Sequence, residues 1–220
     1  MALSKDILNK TKKAIPLSIE VLSFKLLIEA YILALKENEY ELDWIEDQFT
    51  NYLINFMRKS SLNKKYPLDI TPQYSLIQDE LPIDANNPKT LPVIDIRIIT
   101  WDSPIQKEYF FEAKNLCENN WNKNSGTTVS SKYYLDRYLS TGIENFRIGR
   151  YYNGAIVGYV LQGDIFNIIS KLNSRLLADT NIIQDIQTID FIPISTNIYN
   201  SIHLMPSSDN LELKHIFLKF

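Results

Sequence analysis

Cysteine and histidine are scarce in this sequence of 220 residues, which contains Cys117, His203 and His215 and no others of either type. A single cysteine cannot form an intramolecular disulfide, nor can it build a cysteine-rich zinc site. Two histidines leave few ligands for a histidine-based metal centre. Because disulfides mark oxidising compartments, a lone cysteine favours a reducing, cytoplasmic location. Any chemistry in this chain is therefore expected to depend on other side chains.

Long uncharged apolar runs and a strong charge of one sign are also lacking. The longest apolar stretch, residues 15–35, is interrupted by Glu20, Lys25 and Glu29, which a membrane-spanning helix would not carry. The first residues show no signal-peptide pattern. The formal net charge of −3 argues against a polycationic nucleic-acid binder, although it is compatible with a local basic groove. These features predict a cytoplasmic protein without membrane association.

Hydrophobic periodicity predicts helices first and strands afterwards. Apolar residues recur every three or four positions in residues 17–35 and 41–59, as on the buried side of a helix. Further helices are predicted over residues 130–148 and 165–177, a loop over 79–90, and strands over 69–77, 91–101, 108–116, 155–161, 188–194 and 215–220. The expected fold class is α/β (α+β), a mixed sheet flanked by helices. Residues 1–40 are expected to form a helical segment packed on a core domain of residues 41–220.

Two neighbouring strands carry the polar residues that matter most. They cover residues 91–99 and 108–114, and the Asp-Ser-Pro sequence at 102–104 is typical of a turn, so we expect an antiparallel hairpin. Side chains alternate between the two faces of a strand. One face is then apolar, and the other carries Asp95, Arg97, Phe110, Glu112 and Lys114.

Two registers of this hairpin keep its polar residues together. Asp95 lies opposite Lys114 in one register and opposite Glu112 in the other, whereas a slip by one residue would place it against the apolar face. The hydrophobic pattern therefore gathers two carboxylates and an ammonium group. Adjacent carboxylates repel each other unless a divalent cation lies between them or one takes up a proton. Oxygen ligands of this kind suit Mg²⁺ or Mn²⁺.

Asp95 followed by Glu112-Ala113-Lys114 resembles the D…(D/E)xK signature of the PD-(D/E)XK nuclease superfamily, which includes restriction endonucleases. The resemblance implies a restriction-endonuclease-like mixed sheet flanked by helices. It implies that Asp95, Glu112 and the carbonyl group of Ala113 hold Mg²⁺ or Mn²⁺, and that Lys114 positions or activates the attacking water. It also implies a further acid on the helix before the hairpin. Glu46 is the residue we expect in that role, with Glu41 and Asp47 as alternatives.

Basic and aromatic residues follow the second strand of the hairpin. Residues 133–160 are rich in Tyr, Arg and Gly but contain no P-loop or GxGxxG pattern. The resemblance implies that the helix in this region contacts the nucleic-acid backbone. The candidate phosphate contacts are Lys132, Arg137, Arg147 and Arg150. Tyr133, Tyr134, Tyr151 and Tyr152 either stack on bases or pack inside the fold.

The resemblance predicts a Mg²⁺-dependent endonuclease, a hydrolase of phosphodiester bonds. DNA is the expected substrate, with RNA as the alternative, and restriction or antiviral (anti-phage) defence is the expected setting. Separately encoded partner subunits are compatible with the sequence, as is a homodimer, since cutting both strands takes two sites. The alternative from another class is a non-catalytic nuclease-fold subunit of a defence complex that acts through protein–protein contacts.

Overall fold

Three helices open the part of the chain that the structure describes. The structure is a computed structural model, and it describes residues 18–66, 68–76, 91–101, 106–193 and 197–220. The helices are α1 (Ile19–Glu37), α2 (Glu46–Lys59) and the short α3 (Ser61–Lys65). Ser18 starts α1 by accepting a hydrogen bond from the backbone N–H of Val21, and Asn38 ends it in the left-handed conformation. No helix within the described ranges is long and apolar enough to cross a membrane.

Strands alternate with shorter helical segments in the rest of the described chain. In order they are β1 (Asp69–Ser75), β2 (Val93–Thr100), β3 (Lys107–Cys117), β4 (Trp121–Asn122), β5 (Thr128–Val129), α4 (Ser131–Arg137), a π-helical turn (Tyr138–Ile143), α5 (Glu144–Arg147), β6 (Gly154–Gln162), α6 (Ile165–Leu176), β7 (Ile182–Thr188), β8 (Ile198–Leu204) and β9 (Asn210–Lys219). Asp164 starts α6 by accepting hydrogen bonds from the backbone N–H groups of Phe166 and Asn167.

Within the described residues, seven strands form one mixed sheet in the order β1-β2-β3-β6-β9-β8-β7. β1, β2 and β3 are antiparallel neighbours, β3, β6 and β9 run parallel, and β8 and β7 complete the sheet in antiparallel pairing. A parallel pair needs a crossover connection, and α4, the π-helical turn and α5 provide it between β3 and β6. β3 therefore has a neighbour on both sides, and it is buried from Tyr109 to its end.

Helices cover both faces of the sheet. Phe24 of α1 and Phe49 of α2 belong to the hydrophobic cluster on one face. Leu135 of α4, Tyr138 of the π-helical turn and Leu172 of α6 belong to the cluster on the other face. Burial of each large apolar side chain contributes about 1.5–3 kcal/mol, so both layers stabilise the sheet. The expected mixed sheet flanked by helices is confirmed.

The C-terminal strands differ from the sequence prediction. The strand expected over residues 188–194 is wrong, because β7 ends at Thr188, and Ile189 and Phe191 pack against the core from irregular backbone. Pro193 cannot donate a hydrogen bond to a strand partner, which disfavours pairing there. β8 and the small β4–β5 hairpin had no sequence signal that we recognised. The loop predicted over 79–90 and the turn at 102–104 lie outside the described residues.

Candidate active site

Asp95 lies where the pairing between β2 and β3 stops. The last antiparallel pair at this end joins Ile96 to Phe111, so Asp95 faces Glu112, which is the second of the two expected registers. The Oδ2 atom of Asp95 accepts a hydrogen bond of 2.6 Å from the backbone N–H of Ala113. At this position the Asp95 carboxylate thus replaces a backbone carbonyl group as the hydrogen-bond acceptor of β3. The carboxylate is thereby held between the two strands.

Gln73 on the edge strand β1 is a second partner of Asp95. Its Nε2 atom donates to Asp95 Oδ1 at 2.9 Å and to Asp47 Oδ1 at 3.2 Å, which connects the start of α2 to the sheet. The φ angle of Gln73 is 48°, in the left-handed region that residues other than Gly, Asn and Asp rarely adopt. Backbone strain of this kind clusters at functional sites. Sequence reasoning missed Gln73, although the preceding Pro72 marks an interruption of a strand.

Glu112 and Lys114 form a buried ion pair on the face of β3 that packs against the π-helical turn. Their exposed fractions are 5% and 3%, and Lys114 Nζ lies 2.5 Å from Glu112 Oε1. The same ammonium group donates a hydrogen bond of 2.7 Å to the carbonyl oxygen of Ala113. The other carboxylate oxygen, Glu112 Oε2, is buried, and no described residue donates a hydrogen bond to it. An orphaned carboxylate oxygen is costly, so Oε2 needs either a proton of its own or a cation beside it.

The electrostatics of this cluster favour an added positive charge. Burial raises the pKa of Glu112 to about 8, and the charge of Asp95 acts in the same direction. Burial likewise raises the pKa of Asp95, against the opposing effect of Lys114. Burial alone would lower the pKa of Lys114, but Glu112, Glu46 and Asp95 together raise it. Lys114 is therefore an ammonium ion, and Glu112 takes up a proton below about pH 8 unless a further cation lies beside it.

Glu46 is the acid of α2 that reaches β3. Its Oε2 atom accepts a hydrogen bond of 2.9 Å from the backbone N–H of Asn115, and its Oε1 atom lies 3.1 Å from the guanidinium group of Arg137. The first turn of a helix favours an acidic side chain because of the helix dipole. Of the alternatives, Asp47 contacts Gln73 instead, and Glu41 is exposed before the helix begins. Glu46 therefore contacts β3, whereas Asp47 contacts β1.

Tyr151 lies beside the carboxylates, a position that sequence reasoning did not anticipate. Its hydroxyl group donates a hydrogen bond of 2.9 Å to the carbonyl oxygen of Val93. Burial, followed by the charges of Glu112 and Asp95 and by the closeness of the hydroxyl group to the Glu112 side chain, raises the pKa of Tyr151 far above its ordinary value. Tyr151 is therefore uncharged and lines one side of the site.

The structure separates the four predicted phosphate contacts. Arg137 joins the cluster through Glu46, and Arg150 is exposed next to Tyr151, whose pKa its charge lowers slightly. Arg147 is bound to Glu144 at 2.6 Å and donates to a carbonyl group of β8, so its charge is already paired. Lys132 is exposed near Lys171 and Arg175, apart from the residues that surround Asp95.

The oxygen atoms of this cluster come from two carboxylates and a carbonyl group. The described residues contain no group of three or more Asp, Glu, His or Cys side chains arranged to hold a metal ion. The Lys114 ammonium lies against Glu112 Oε1 and the Ala113 carbonyl oxygen. No described residue donates to Glu112 Oε2. Oxygen donors of this type suit Mg²⁺ or Mn²⁺.

Comparisons with known proteins give no relative from which a function could be transferred. No family model, curated protein or solved structure matches this chain. The fold and the cluster define a mixed α/β protein in which a buried glutamate and a buried lysine lie beside a half-buried aspartate.

Proposed function

We propose that this chain is a divalent-metal-dependent nuclease with a restriction-endonuclease-like core, and that its substrate is DNA. The order of elements supports this proposal. An acidic helix start, α2, precedes three antiparallel strands, and the crossover helices then lead to β6, which lies parallel to β3. Asp95 and Glu112-Ala113-Lys114 occupy adjacent strands of that unit.

One observation carries the proposal: no described residue donates a hydrogen bond to the buried Glu112 Oε2, which lies beside the half-buried Asp95 and the Lys114 ammonium group. A purely structural salt bridge keeps its carboxylate ionised, whereas burial and the charge of Asp95 raise the pKa of Glu112 to about 8 in spite of Lys114. Perturbed acids grouped with a lysine are typical of sites built for chemistry. The arrangement therefore favours a catalytic site over a solvated salt bridge on the sheet.

Asp95, Glu112 and the carbonyl group of Ala113 would hold Mg²⁺. Mg²⁺ supplies Lewis-acid polarisation of the phosphate and lowers the pKa of water at the site. In the hydrolysis, the water oxygen bonds to phosphorus and one P–O ester bond breaks. The proton of the water passes to solvent, and the leaving oxygen takes up a proton from solvent.

Lys114 acts as a hydrogen-bond donor in this scheme. Its raised pKa keeps it protonated, so it orients the attacking water or neutralises charge on the phosphate, and it does not accept a proton. Glu46 holds the backbone of Asn115 and the guanidinium group of Arg137, which fixes the strand next to Lys114. Arg137 is partly exposed at the rim, where an approaching phosphate would compete with Glu46 for its guanidinium group.

The test is a cleavage assay on the full chain with plasmid, linear duplex DNA, single-stranded DNA and RNA. Mg²⁺, Mn²⁺ and EDTA are compared for the natural protein, Lys114→Ala and the matched control Lys107→Ala at the exposed start of the same strand. Loss of a positioned donor is expected to slow cleavage by about 10²–10³-fold, and Lys107→Ala is expected to cut normally. Cleavage that persists in EDTA or in Lys114→Ala would remove the assignment. Cleavage of RNA without cleavage of DNA would show that the substrate is RNA and that the proposal of DNA is wrong.

A further inference from the structure

A depression of about 280 Å³ opens beside Glu46, and we refer to it as the side pocket. Asn115, Tyr133, Tyr134 and Arg137 line it together with Glu46. Asn115 directly follows Lys114 on β3, and both tyrosines come from the first turn of α4. Its volume lies near the lower end of the range for small-molecule sites, which suits one planar ring system.

Tyr133 offers an aromatic surface at the mouth of the side pocket. Its side chain is 56% exposed, and its ring centroid lies 5.8 Å from that of Tyr134. The guanidinium carbon of Arg137 lies 5.9 Å from the centre of the Tyr133 ring. An exposed aromatic ring next to an arginine is the arrangement on which unpaired nucleobases stack.

Asn115 supplies a hydrogen-bond acceptor that nothing in the described chain uses. The residue is 2% exposed, and its Nδ2 atom donates to the carbonyl oxygen of Trp44 at 3.3 Å, which fixes the orientation of the amide. No described residue donates a hydrogen bond to its buried Oδ1 atom. The Tyr134 hydroxyl group lies close to the same side chain, and burial raises the pKa of Tyr134 against the opposing effect of Asn115. A ligand N–H group would satisfy Oδ1.

We propose that the side pocket takes an unpaired nucleobase with an exocyclic amino group, stacked on Tyr133 with the amino group directed at Asn115 Oδ1. This inference rests on the proposed nuclease function, since it makes the occupant a nucleotide next to the phosphate held at Asp95. Glu46 joins the two sites, because it binds the Asn115 backbone and its charge reaches Glu112 and Lys114. Cytosine carries such an amino group where thymine has a carbonyl oxygen. A base inside a duplex is stacked on both sides, so the substrate must be single-stranded or locally opened.

The experiment measures binding to the full chain in EDTA, where cleavage plays no part. Single-stranded oligonucleotides with one 2-aminopurine report stacking through fluorescence quenching, and oligo(dC) is compared with oligo(dT) in competition. We expect quenching by the natural protein and by Tyr133→Phe, and a loss of affinity on the order of tenfold or more in Tyr133→Ala. Phe166→Ala, which removes an aromatic residue that is 77% exposed on α6, is the matched control and is expected to bind normally. Oligo(dC) is expected to compete on the order of fivefold better than oligo(dT).

Three results would overturn the side pocket as a nucleobase site. They are equal binding by Tyr133→Ala and the natural protein, equal affinity for duplex and single strand, and no binding of any single strand at about 0.1 mM, the weak limit of non-specific affinity. Because the assay does not depend on cleavage, the two proposals fail separately. Quenching that depends on Tyr133 in a protein that never cuts nucleic acid contradicts the nuclease assignment alone, and cleavage that ignores Tyr133 contradicts the side pocket alone.

Discussion

The backbone N–H of Ala113 donates its hydrogen bond to the side chain of Asp95, at 2.6 Å, at the point where β2 and β3 cease to pair. One contact therefore does two things: it anchors a carboxylate in the gap between the strands, and it holds the residue between Glu112 and Lys114 in place. The carboxylate stays ordered without a counter-charge of its own. That order is what a preorganised site requires.

Glu112→Gln is predicted to stabilise the protein when divalent cations are absent. Because the folded pKa of Glu112 is about 8, above its ordinary 4.5, its ionised form is disfavoured in the fold, and the associated stability is lost as pH rises from about 4.5 to 8. Glutamine keeps an oxygen for Lys114 and removes the charge. A gain of about 1 kcal/mol corresponds to a rise in Tm of roughly 2–4 °C for a domain of this size. Thermal unfolding at pH 7.5 in EDTA measures it.

Glu108→Gln is the matched control for that prediction. Glu108 pairs with Arg97 at 2.6 Å on the same hairpin, but it lies toward the exposed end of β3. Its replacement is expected to leave Tm unchanged or slightly lower. Added Mg²⁺ is expected to raise the Tm of the natural protein and of Glu108→Gln but not of Glu112→Gln. An equal response of all three proteins to Mg²⁺ would be inconsistent with Glu112 as a ligand.

The hairpin that carries the site could be predicted from the sequence because burial enforces a period of two. The alternation of side chains along β3 shows which residues share a face of the sheet. The cost of burying Asp95 against apolar residues leaves two possible registers between β2 and β3. The choice between them depended on where the pairing ends, and the turn sequence does not encode that. Alternation also fails locally: Ile94 packs in a different cluster from Ile96, because β2 departs from β3 at Asp95.

Gln73 and Asn115 could not be predicted as site residues, and Tyr151 was expected to stack on bases or to pack inside the fold, not to lie beside the carboxylates. Each acquires its position through tertiary contacts: Gln73 from an edge strand, Asn115 through α2, and Tyr151 from the segment before β6. Glutamine, asparagine and tyrosine are common residues, and no spacing rule links them to the acids. The basic residues illustrate the same limit, since helix position alone did not reveal that Arg147 is paired with Glu144.

A buried chain of hydrogen bonds is predicted to make the protein unstable in mild acid. Tyr138 Oη lies 2.8 Å from His215 Nδ1, and Ser201 Oγ lies 2.7 Å from His215 Nε2 and 2.6 Å from His203 Nε2. These three ring nitrogens all have partners when Tyr138 donates to His215, His215 donates to Ser201, and Ser201 donates to His203. Ser201→Ala leaves two buried ring nitrogens without partners, so it is expected to cost about 1–3 kcal/mol.

The sign of the pH effect follows from the histidines. Burial lowers the pKa of His203 to about 4 and that of His215 to about 3, whereas in the unfolded chain both are near 6.5. Between these pH values the unfolded state binds more protons than the folded state. The free energy of unfolding is therefore highest above about pH 6.5 and falls as the pH drops toward 4. Urea unfolding at several pH values measures the slope. His203→Gln is expected to flatten it, and an unchanged slope would contradict this explanation.

Gly158→Ala is predicted to be destabilising, and Gly142→Ala is not. A Cβ atom on Gly158 would lie 2.7 Å from Leu116 Cδ1 and 2.8 Å from Phe217 Cδ1, inside the core between β3 and β9. Overpacking of this kind costs about 1–3 kcal/mol. On Gly142 the nearest atom would be 3.5 Å away, and alanine favours a helical backbone, so we expect no loss of stability. Denaturant midpoints compare the two variants, and equal midpoints would refute the packing described for β6.

Arg137→Ala is predicted to weaken nucleic-acid binding and leave the fold intact. The guanidinium group is partly exposed at the rim, where it pairs with Glu46. Loss of one charge-assisted contact corresponds to about tenfold weaker binding. The slope of log affinity against log salt concentration is expected to fall by about 1, because one phosphate contact is lost. Arg175→Ala, which removes a similar pair with Asp136 on the far side of α4, is the control. Equal losses in both variants would indicate a general charge effect.

The most direct measurement of the central claim is the binding of Mn²⁺ to the full chain by calorimetry, since it requires neither a substrate nor an activator. The natural protein is expected to bind one Mn²⁺ ion near the carboxylates and to release a proton, because the raised pKa of Glu112 leaves it largely protonated below about pH 8. Lys114→Ala is expected to keep that binding, and the double variant Asp95→Asn with Glu112→Gln is expected to lose it. Undiminished binding by the double variant, or no binding by the natural protein, would contradict a metal site between β2 and β3.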